Sequence, residues 1–172
     1  MNLFSSEIPK IAGLTYTPSY ITEEQEQFLI SKIDKQPWLN DLKRRVQHYG
    51  YKYDYKARKI TLDLRIVTIP DWLQILPNFD QVIVNEYLCG QGITPHIDCI
   101  PCFGEKICSL SLLEPCEMVL ERGTQKYSII LEPRSLLTFE DEARYKWKHS
   151  IPARKSNVKN RRVSVTFRKV II

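Results

Sequence analysis

Short segments of strand-forming residues fill the second half of the chain, and their spacing restricts the folds that this sequence can adopt. The segments are rich in Val, Ile, Thr, Phe and Tyr, and turns containing Gly or Pro separate them. They read QVIVNEYL, KICSLSLL, CEMVLE, KYSIILE, SLLTF and RRVSVTFRKVII. A parallel α/β sheet needs crossover helices, and the connections here are too short for them. We therefore predict a mainly β fold, a β-sandwich or jelly roll, with flanking helices.

The N-terminal part predicts these flanking helices. The segment ITEEQEQFLISKIDKQ contains a capping box, in which Thr22 precedes Gln25 by three residues, and acids lie in the first turn. Pro37 ends this helix. Its buried face is predicted to consist of Phe28, Leu29 and Ile33. A second, short helix is expected over DWLQIL, between two prolines.

Length and composition predict one intracellular globular domain. A chain of 172 residues can bury a sufficient core without disulfides. No run of about 18 apolar residues occurs, so we expect no membrane partner. The N-terminus lacks the pattern of a secretion signal, and five cysteines, an odd number, favour a reduced protein. We expect a monomer in the cytoplasm, or in the nucleus of a eukaryote.

The net charge of +5 is unevenly distributed along the chain. Residues 43–59 contain seven Lys or Arg and one acid, and residues 144–172 contain ten Lys or Arg and no acid. Two basic segments on an otherwise acidic body favour a polyanionic partner such as a nucleic acid. The alternative is that both segments form ordinary solvated faces.

The segment GITPHIDCIP contains residues suited to a metal site. His96 and Asp98 are two residues apart, so on an extended strand both side chains point to the same side. A mononuclear non-haem Fe(II) oxygenase holds its iron with two imidazoles and one carboxylate. The third ligand would be His149 or His48, the two other histidines of the chain. The alternative is a single core histidine that lies near an acid.

The cysteines in and around this segment offer a second metal hypothesis. Cys99 and Cys102 form a CxxC pair, but a structural zinc site usually needs a second pair at standard spacing. Cys108 and Cys116 do not supply that pair. We therefore predict that these cysteines are core or loop residues.

The last strand-like segment has one polar face. Alternate positions place Arg162, Ser164, Thr166 and Arg168 on one side of the strand and apolar residues on the other. Two guanidinium groups spaced along one face can hold both ends of a dicarboxylate. The alternative is a surface strand whose charges are in water.

These motifs together resemble the AlkB family of Fe(II)- and 2-oxoglutarate-dependent dioxygenases. The family pattern is HxD, a distant His and then RxNxTxR, with NxY on the strand before HxD. Here the matching residues are His96-Ile97-Asp98, His149, Arg162-Val163-Ser164-Val165-Thr166-Phe167-Arg168 and Asn85-Glu86-Tyr87. The resemblance covers residues 80–170 with strong motifs, among them SLSLL and EPRSLLTFEDEARYKWKHSI, and extends more loosely back to residue 42.

The resemblance implies the iron and cosubstrate residues. Fe(II) would be held by His96, Asp98 and His149. The cosubstrates would be 2-oxoglutarate and O2, with 2-oxoglutarate bound by Asn85, Tyr87, Arg162, Ser164, Thr166 and Arg168. Arg162 would pair with the distal carboxylate, and Arg168 with Asn85 would lie near the end that chelates iron. The cosubstrate would be decarboxylated to succinate while a substrate C–H bond is hydroxylated.

The resemblance also implies the architecture. The core would be a double-stranded β-helix, the jelly roll of this family. Residues 1–172 would form a single domain, in which residues 1–79 supply N-terminal helices and substrate-binding loops. Residues 80–172 would form the core that binds iron and 2-oxoglutarate.

Two positions depart from the family pattern. Ser164 stands where the family usually has Asn, which weakens one polar contact to the cosubstrate. Ile100 follows Asp98 by two residues, where members that repair methylated adenine and cytosine often carry an acid. An apolar residue there argues against that repair specificity.

The segment LKRRVQHYGYKYDYKARK is the predicted substrate-binding region. Aromatic side chains can stack on an unpaired base while cations hold phosphates, and an enzyme acting on a base must extract it from the stack. The predicted substrate-binding residues are Arg44, Arg45, His48, Tyr49, Tyr51 and Tyr55. The alternative is a hairpin with one tyrosine face packed on the core.

The motifs look most similar to the family branch that hydroxylates a modified wobble uridine in tRNA. We therefore predict an enzyme that hydroxylates or demethylates a nucleic-acid base, with RNA and tRNA favoured over single-stranded DNA. Three alternatives stay open: repair of alkylated single-stranded DNA, the same chemistry on a protein side chain, and a non-catalytic nucleic-acid-binding module.

Overall fold

The computed structural model describes residues 8–40, 42–54 and 60–171, which form two antiparallel sheets and two α-helices. The strands are β1 (Leu14–Thr17), β2 (Val46–Tyr49), β3 (Gln81–Leu88), β4 (Ile93–His96), β5 (Phe103–Leu112), β6 (Cys116–Arg122), β7 (Gln125–Leu131), β8 (Leu136–Phe139), β9 (Lys148–Ile151) and β10 (Arg161–Val170). The helices are α1 (Glu23–Ile33) and α2 (Asp141–Tyr145), and short 3-10 turns span Leu62–Leu64 and Asp71–Leu73.

The two sheets enclose the main core. The larger sheet has the strand order β1-β8-β5-β10-β3-β2, and the smaller sheet has the order β4-β9-β6-β7. Tyr87 and Ile107 of the larger sheet belong to the same apolar cluster as Met118 and Leu120 of the smaller sheet. This arrangement confirms the predicted mainly β fold with flanking helices.

The other face of the larger sheet is also buried. Leu29 and Ile33 of α1 share a second apolar cluster with Val163, Val165 and Phe167 of β10. The central strand β10 is therefore covered on both faces, by the helical layer on one side and by the smaller sheet on the other. This excludes the alternative of a surface strand.

Helix α1 has the predicted N-terminal capping box, but its buried residues differ in part from the prediction. The Thr22 side chain accepts a hydrogen bond from the Gln25 backbone N–H, and the Gln25 side chain accepts one from the Thr22 backbone N–H. Phe28, predicted to be buried, is 50% exposed. Glu26 is buried instead of Phe28. Its carboxylate tolerates burial because it pairs with Arg134 and accepts a hydrogen bond from the Leu113 backbone N–H.

Short elements account for most other differences from the sequence predictions. The second predicted helix is only the 3-10 turn at Asp71–Leu73. Strands β1, β2, β4 and β9 have four residues each, too few for a clear alternation of apolar and polar residues. Neither α-helix in the described part of the chain is long and apolar enough to cross a membrane.

The predicted reduced state of the cysteines is wrong for one pair. A disulfide joins Cys99 to Cys102 in the loop between β4 and β5. The other three cysteines are free thiols: Cys89, Cys108 and Cys116. The CxxC spacing is compatible with a local disulfide because the two Cα atoms lie 5.3 Å apart, within the usual range.

A buried carboxylate ties α1 to the larger sheet. Glu86 of β3 is 1% exposed and accepts hydrogen bonds from Arg45 at 2.6 and 2.8 Å and from Arg161 at 2.7 Å. Arg161 also pairs with Asp34, which follows α1. Burial alone would raise the pKa of Glu86, but the hydrogen bonds from Arg45 and Arg161 outweigh it and the pKa is lowered.

We expect Glu86→Gln to destabilise the fold by about 2 kcal/mol, because charge-assisted hydrogen bonds are lost at a buried position. The folded-state pKa lies below the unfolded-state pKa, so Glu86 contributes stability that is full above about pH 4.5 and decreases as the pH falls further. Urea unfolding at several pH values measures this. The penalty should shrink in acid, and a pH-independent penalty would contradict the explanation.

Candidate metal centre and cosubstrate cavity

Strands β4 and β9 bring the histidines of the metal hypothesis together. His96 and His149 are direct cross-strand partners, and their ring centroids lie 4.3 Å apart. Asp98 follows β4, with its Oδ1 3.4 Å from His96 Nε2. One potential ligand atom from each of these three residues lies within 4.8 Å of the others.

The His96 ring has a defined orientation. Its Nδ1 lies 2.8 Å from the backbone carbonyl oxygen of Thr94, which can only accept a hydrogen bond. Nδ1 therefore carries a proton, and Nε2 is the ring nitrogen that faces Asp98, 3.4 Å from its Oδ1. A hydrogen bond of this kind fixes the tautomer of metal-binding histidines in general.

The electrostatics of the cluster favour a neutral imidazole and an ionised carboxylate. Burial, reinforced by His96, lowers the pKa of His149 to about 3. Burial alone would raise the pKa of Asp98, but the charge of Arg168 and the hydrogen bond with His96 hold it well below its usual range. Both groups are therefore in the protonation state that a divalent cation requires.

The inner face of β10 adds the predicted guanidinium groups. Arg168 donates from Nε to Asp98 Oδ2 at 2.9 Å and from Nη1 to Gln81 Oε1 at 3.4 Å. Ser164 and Thr166 lie between the two arginines on this face and line the same cavity. Ser164 is the cross-strand partner of both Asn85 and Ser111.

The buried side chain of Arg162 is only partly hydrogen-bonded by the described residues. It is 1% exposed, donates from Nη2 to Ser111 Oγ at 2.9 Å, and lies 5.3 Å from the Tyr87 ring centroid. Its Nε has no hydrogen-bond partner among the described residues. A buried N–H of a cation is costly to leave unpaired, so this position is suited to an anion.

Arg44 contacts the predicted cosubstrate residues. Its Nε donates to Asn85 Oδ1 at 2.9 Å, and its guanidinium lies 5.6 Å from the Tyr87 ring centroid. Because Nε can only donate, the Asn85 side-chain carbonyl oxygen faces Arg44 and its amide N–H groups point elsewhere.

A cavity of about 650 Å³ contains the whole arrangement. All nine residues predicted for metal and cosubstrate binding line it: His96, Asp98, His149, Asn85, Tyr87, Arg162, Ser164, Thr166 and Arg168. The cavity is also lined by apolar and aromatic residues that are partly or largely exposed: Leu42, Tyr53, Ile100 and Pro101. The cavity thus combines a polar interior with apolar and aromatic groups from the loops.

The predicted substrate-binding residues are dispersed. Arg44 lines the cavity, but Arg45 pairs with Glu86 on the helical face of the sheet. Tyr49 also lies in the helical layer, with its ring centroid 6.0 Å from that of Trp72.

Three further members of that predicted set remain: His48, Tyr51 and Tyr55. His48 is buried in β2 and does not line it. Tyr51 lines a separate groove beside Arg65. Tyr55 lies outside the described residues. Tyr49 therefore packs in the helical layer, whereas Tyr51 and Tyr53 pack against the core between the sheets.

Sequence reasoning missed three residues of the site. Tyr53 lines the cavity and packs on Phe103 with 5.8 Å between ring centroids, and only its place in the tyrosine series indicated it. Ser111, which binds Arg162, was visible only as an alternate polar residue in a strand. Arg144 hydrogen-bonds the loop that carries Asp98, and no sequence motif indicated this contact.

The fold resembles that of a known AlkB-type protein. A solved structure, "The structure of OsALKBH1", superposes with a TM-score of 0.72 over 91% of this chain and 96% of that chain, at 16% sequence identity. This similarity concerns the fold alone, and it agrees with the predicted double-stranded β-helix core.

Residues 35–168 match the 2OG-Fe(II) oxygenase superfamily. The chain belongs to this superfamily, and its relatives identify it as an AlkB-like member of these 2-oxoglutarate-dependent non-haem iron dioxygenases.

Two relatives differ from this chain in length. The "Alkylated DNA repair protein ALKBH8 homolog" of Arabidopsis thaliana is 36% identical over 99% of this chain and 61% of its own length. The "tRNA (carboxymethyluridine(34)-5-O)-methyltransferase alkbh8" of Xenopus tropicalis is 32% identical over 85% of this chain and 26% of its own length. The chain thus spans less than two thirds of either relative.

The histidines permit a matched test of the metal cluster. We expect His149→Gln to lose Co(II) binding, because one of the three clustered ligands is removed. His48→Gln should retain it, because His48 does not line the cavity. Titration of the metal-free protein with Co(II), followed by visible absorption, measures both. Equal loss in the two variants, with both folded by circular dichroism, would contradict this assignment.

Proposed function

We propose that this protein is an Fe(II)- and 2-oxoglutarate-dependent dioxygenase that oxidises a nucleic-acid base, with RNA, and tRNA first, ahead of single-stranded DNA. The observation that carries the proposal is the content of one cavity. It holds two imidazoles and a carboxylate in a cluster, together with a buried guanidinium, Arg162, whose Nε has no partner among the described residues.

The donor set fits iron. His96, Asp98 and His149 would hold Fe(II) as two nitrogen ligands and one oxygen ligand, the combination used by non-haem oxygenases. The bound metal with 2-oxoglutarate and O2 supplies the oxidation of a substrate C–H bond, coupled to formation of succinate and CO2. The protein's part is to hold His149 neutral and Asp98 ionised, so that neither of these two groups must lose a proton before the metal binds.

The arginines fit a dicarboxylate. Arg162 would receive the distal carboxylate of 2-oxoglutarate, because its free Nε and its burial favour a fully paired anion. Arg168, which already contacts Asp98, would lie at the other end with Asn85. Arg44 would orient the Asn85 amide so that its N–H groups face a carboxylate. Ser164 is too short to make the contact of the usual Asn.

The loop side of the cavity supports a flat, unpaired base as the substrate. The Tyr53 ring can stack on a base, and Arg44 is a cation in the same wall. Ile100 is 48% exposed and lines the cavity where a repair enzyme would use an acid to recognise an exocyclic amine. The Xenopus relative is named as a tRNA methyltransferase, which supports tRNA as the substrate.

A specific observation also favours single-stranded DNA as a second candidate. The Arabidopsis relative, which matches 99% of this chain, is named as an alkylated DNA repair protein. The chemistry at the metal would be the same, and removal of an alkyl group from nitrogen would follow hydroxylation of its attached carbon. Substrate choice therefore has to be tested directly.

We expect succinate to form when the protein is incubated with Fe(II), 2-oxoglutarate and ascorbate, with the largest stimulation by bulk tRNA. Parallel reactions contain alkylated single-stranded DNA or acidic peptides, and His96→Ala is the inactive control. The absence of succinate in every wild-type reaction would refute the dioxygenase proposal. Stimulation by peptide alone would leave the chemistry intact and refute the nucleic-acid substrate.

Two adjacent arginines, Arg44 and Arg45, provide a matched test of whether the cavity wall contacts the nucleic acid. Arg44→Ala should weaken tRNA binding and reduce the slope of log K against log salt by about 0.7 to 0.9, the loss of one phosphate contact. Arg45→Ala should leave the slope unchanged, because Arg45 pairs with Glu86 on the other face. Filter binding at several salt concentrations measures both slopes. Equal slopes in Arg44→Ala and wild type would remove Arg44 from the interface.

A further inference from the structure

Arg144 is a buried cation outside the ligand and cosubstrate sets. It lies on α2, is 2% exposed, and has no carboxylate within ion-pair distance among the described residues. Burial lowers the pKa of Arg144, and the charge of Asp98 opposes this shift. A buried guanidinium is costly unless its donors are satisfied, so its partners indicate what it does.

The partners of Arg144 are four backbone carbonyl oxygens, two in the loop after β4 and two at the start of β5. Nη1 donates to Asp98 at 2.9 Å, and Nη2 donates to Cys99 and Phe103, each at 3.2 Å. Nε donates to Gly104 at 3.2 Å. All three nitrogens of one side chain therefore bind the segment that leaves β4 and enters β5.

Residues 97–102 of this segment lie between the two strands, outside both sheets. Strand β4 ends at His96, and β5 begins at Phe103, so Asp98 has no strand partner. The Asp98 side chain is held by Arg168, which donates to Oδ2. Its backbone is held by Arg144, and Oδ1 remains directed at His96. Two arginines thus fix the side chain and the main chain of the same residue.

We propose that Arg144 is a positioning residue of the metal site, which sets the place of the Asp98 carboxylate relative to His96 and His149 by holding the Asp98 backbone. The inference rests on the proposed function, since it concerns the same metal cluster. Arg144 acts through Asp98 and does not touch the metal. The planar fork of a guanidinium can bind several carbonyl groups at once, which the ammonium group of lysine cannot reproduce.

Co(II) binding to the metal-free protein tests this positioning role without turnover. We expect Arg144→Gln to raise the dissociation constant about tenfold, the usual effect of losing a residue that orients a metal ligand. Arg144→Lys should fall between this variant and wild type. The Co(II) absorption spectrum should change as well, because the coordination geometry is less well defined.

Arg161→Gln is the matched control. It also removes the hydrogen bonds of a guanidinium, to Glu86 and Asp34, but on the helical face of the sheet. It should lower the melting temperature and leave the Co(II) dissociation constant and spectrum unchanged. An equal rise in the dissociation constant in both variants would show general destabilisation and overturn the positioning role.

Two further outcomes separate this inference from the proposed function. If the wild-type protein binds no Co(II), the metal site itself is refuted. If wild type binds Co(II) and folded Arg144→Gln binds it equally well, only the role of Arg144 is refuted. Should Arg144→Gln fail to fold, Arg144→Lys decides alone: weakened binding with an altered spectrum supports the role, and wild-type behaviour overturns it.

Discussion

The alternation of side chains along β10 is the constraint on which the rest of the structure depends. One face of this central strand packs against the helical layer through Val163, Val165 and Phe167. The other face therefore has to present Arg162 and Arg168 to the space between the sheets. Two cations in that space need anions or acceptors, and the protein supplies Asp98 to one and a serine hydroxyl to the other. The cavity is thus a consequence of how β10 is buried.

Burial and ion pairing also reduce the positive charge that the two basic segments place on the surface. The sequence has a strong excess of Lys and Arg over residues 43–59 and 144–172, but many of these cations are neutralised within the protein. The internal pairs include Arg45 and Arg161 with Glu86, Arg154 with Glu117, Lys146 with Glu142, Arg168 with Asp98 and Lys169 with Asp80. Arg144 and Arg162 are buried. A charge count along the chain therefore overstates the positive surface, and Arg44 in the cavity wall is a better indicator of an anionic partner.

Sequence patterns predicted the fold class and the residues that line the cavity better than the placement of β2 and the contacts of Arg144. Strands of seven to ten residues have enough alternation to be recognised, so the polar face of β10 was predictable. Among the four-residue strands, β8 was recognised in SLLTF but β2 was not. In β2 the failure also has a second cause. Both faces of the larger sheet are buried, so alternation could not indicate that Tyr49 faces the helices. The contacts of Arg144 left no pattern because backbone carbonyl groups are present at every residue.

An HxD motif specifies ligand types, but the geometry of the ligands has to come from other parts of the chain. His96 is positioned by its ladder with β9, because His149 is its direct partner. Asp98 lies beyond the end of that ladder and is held by Arg168 from β10 and Arg144 from α2, which are 70 and 46 residues away in sequence. The disulfide between Cys99 and Cys102 closes the same loop. A ligand outside a sheet can be as well defined as one within it, provided that long-range donors replace the missing strand hydrogen bonds.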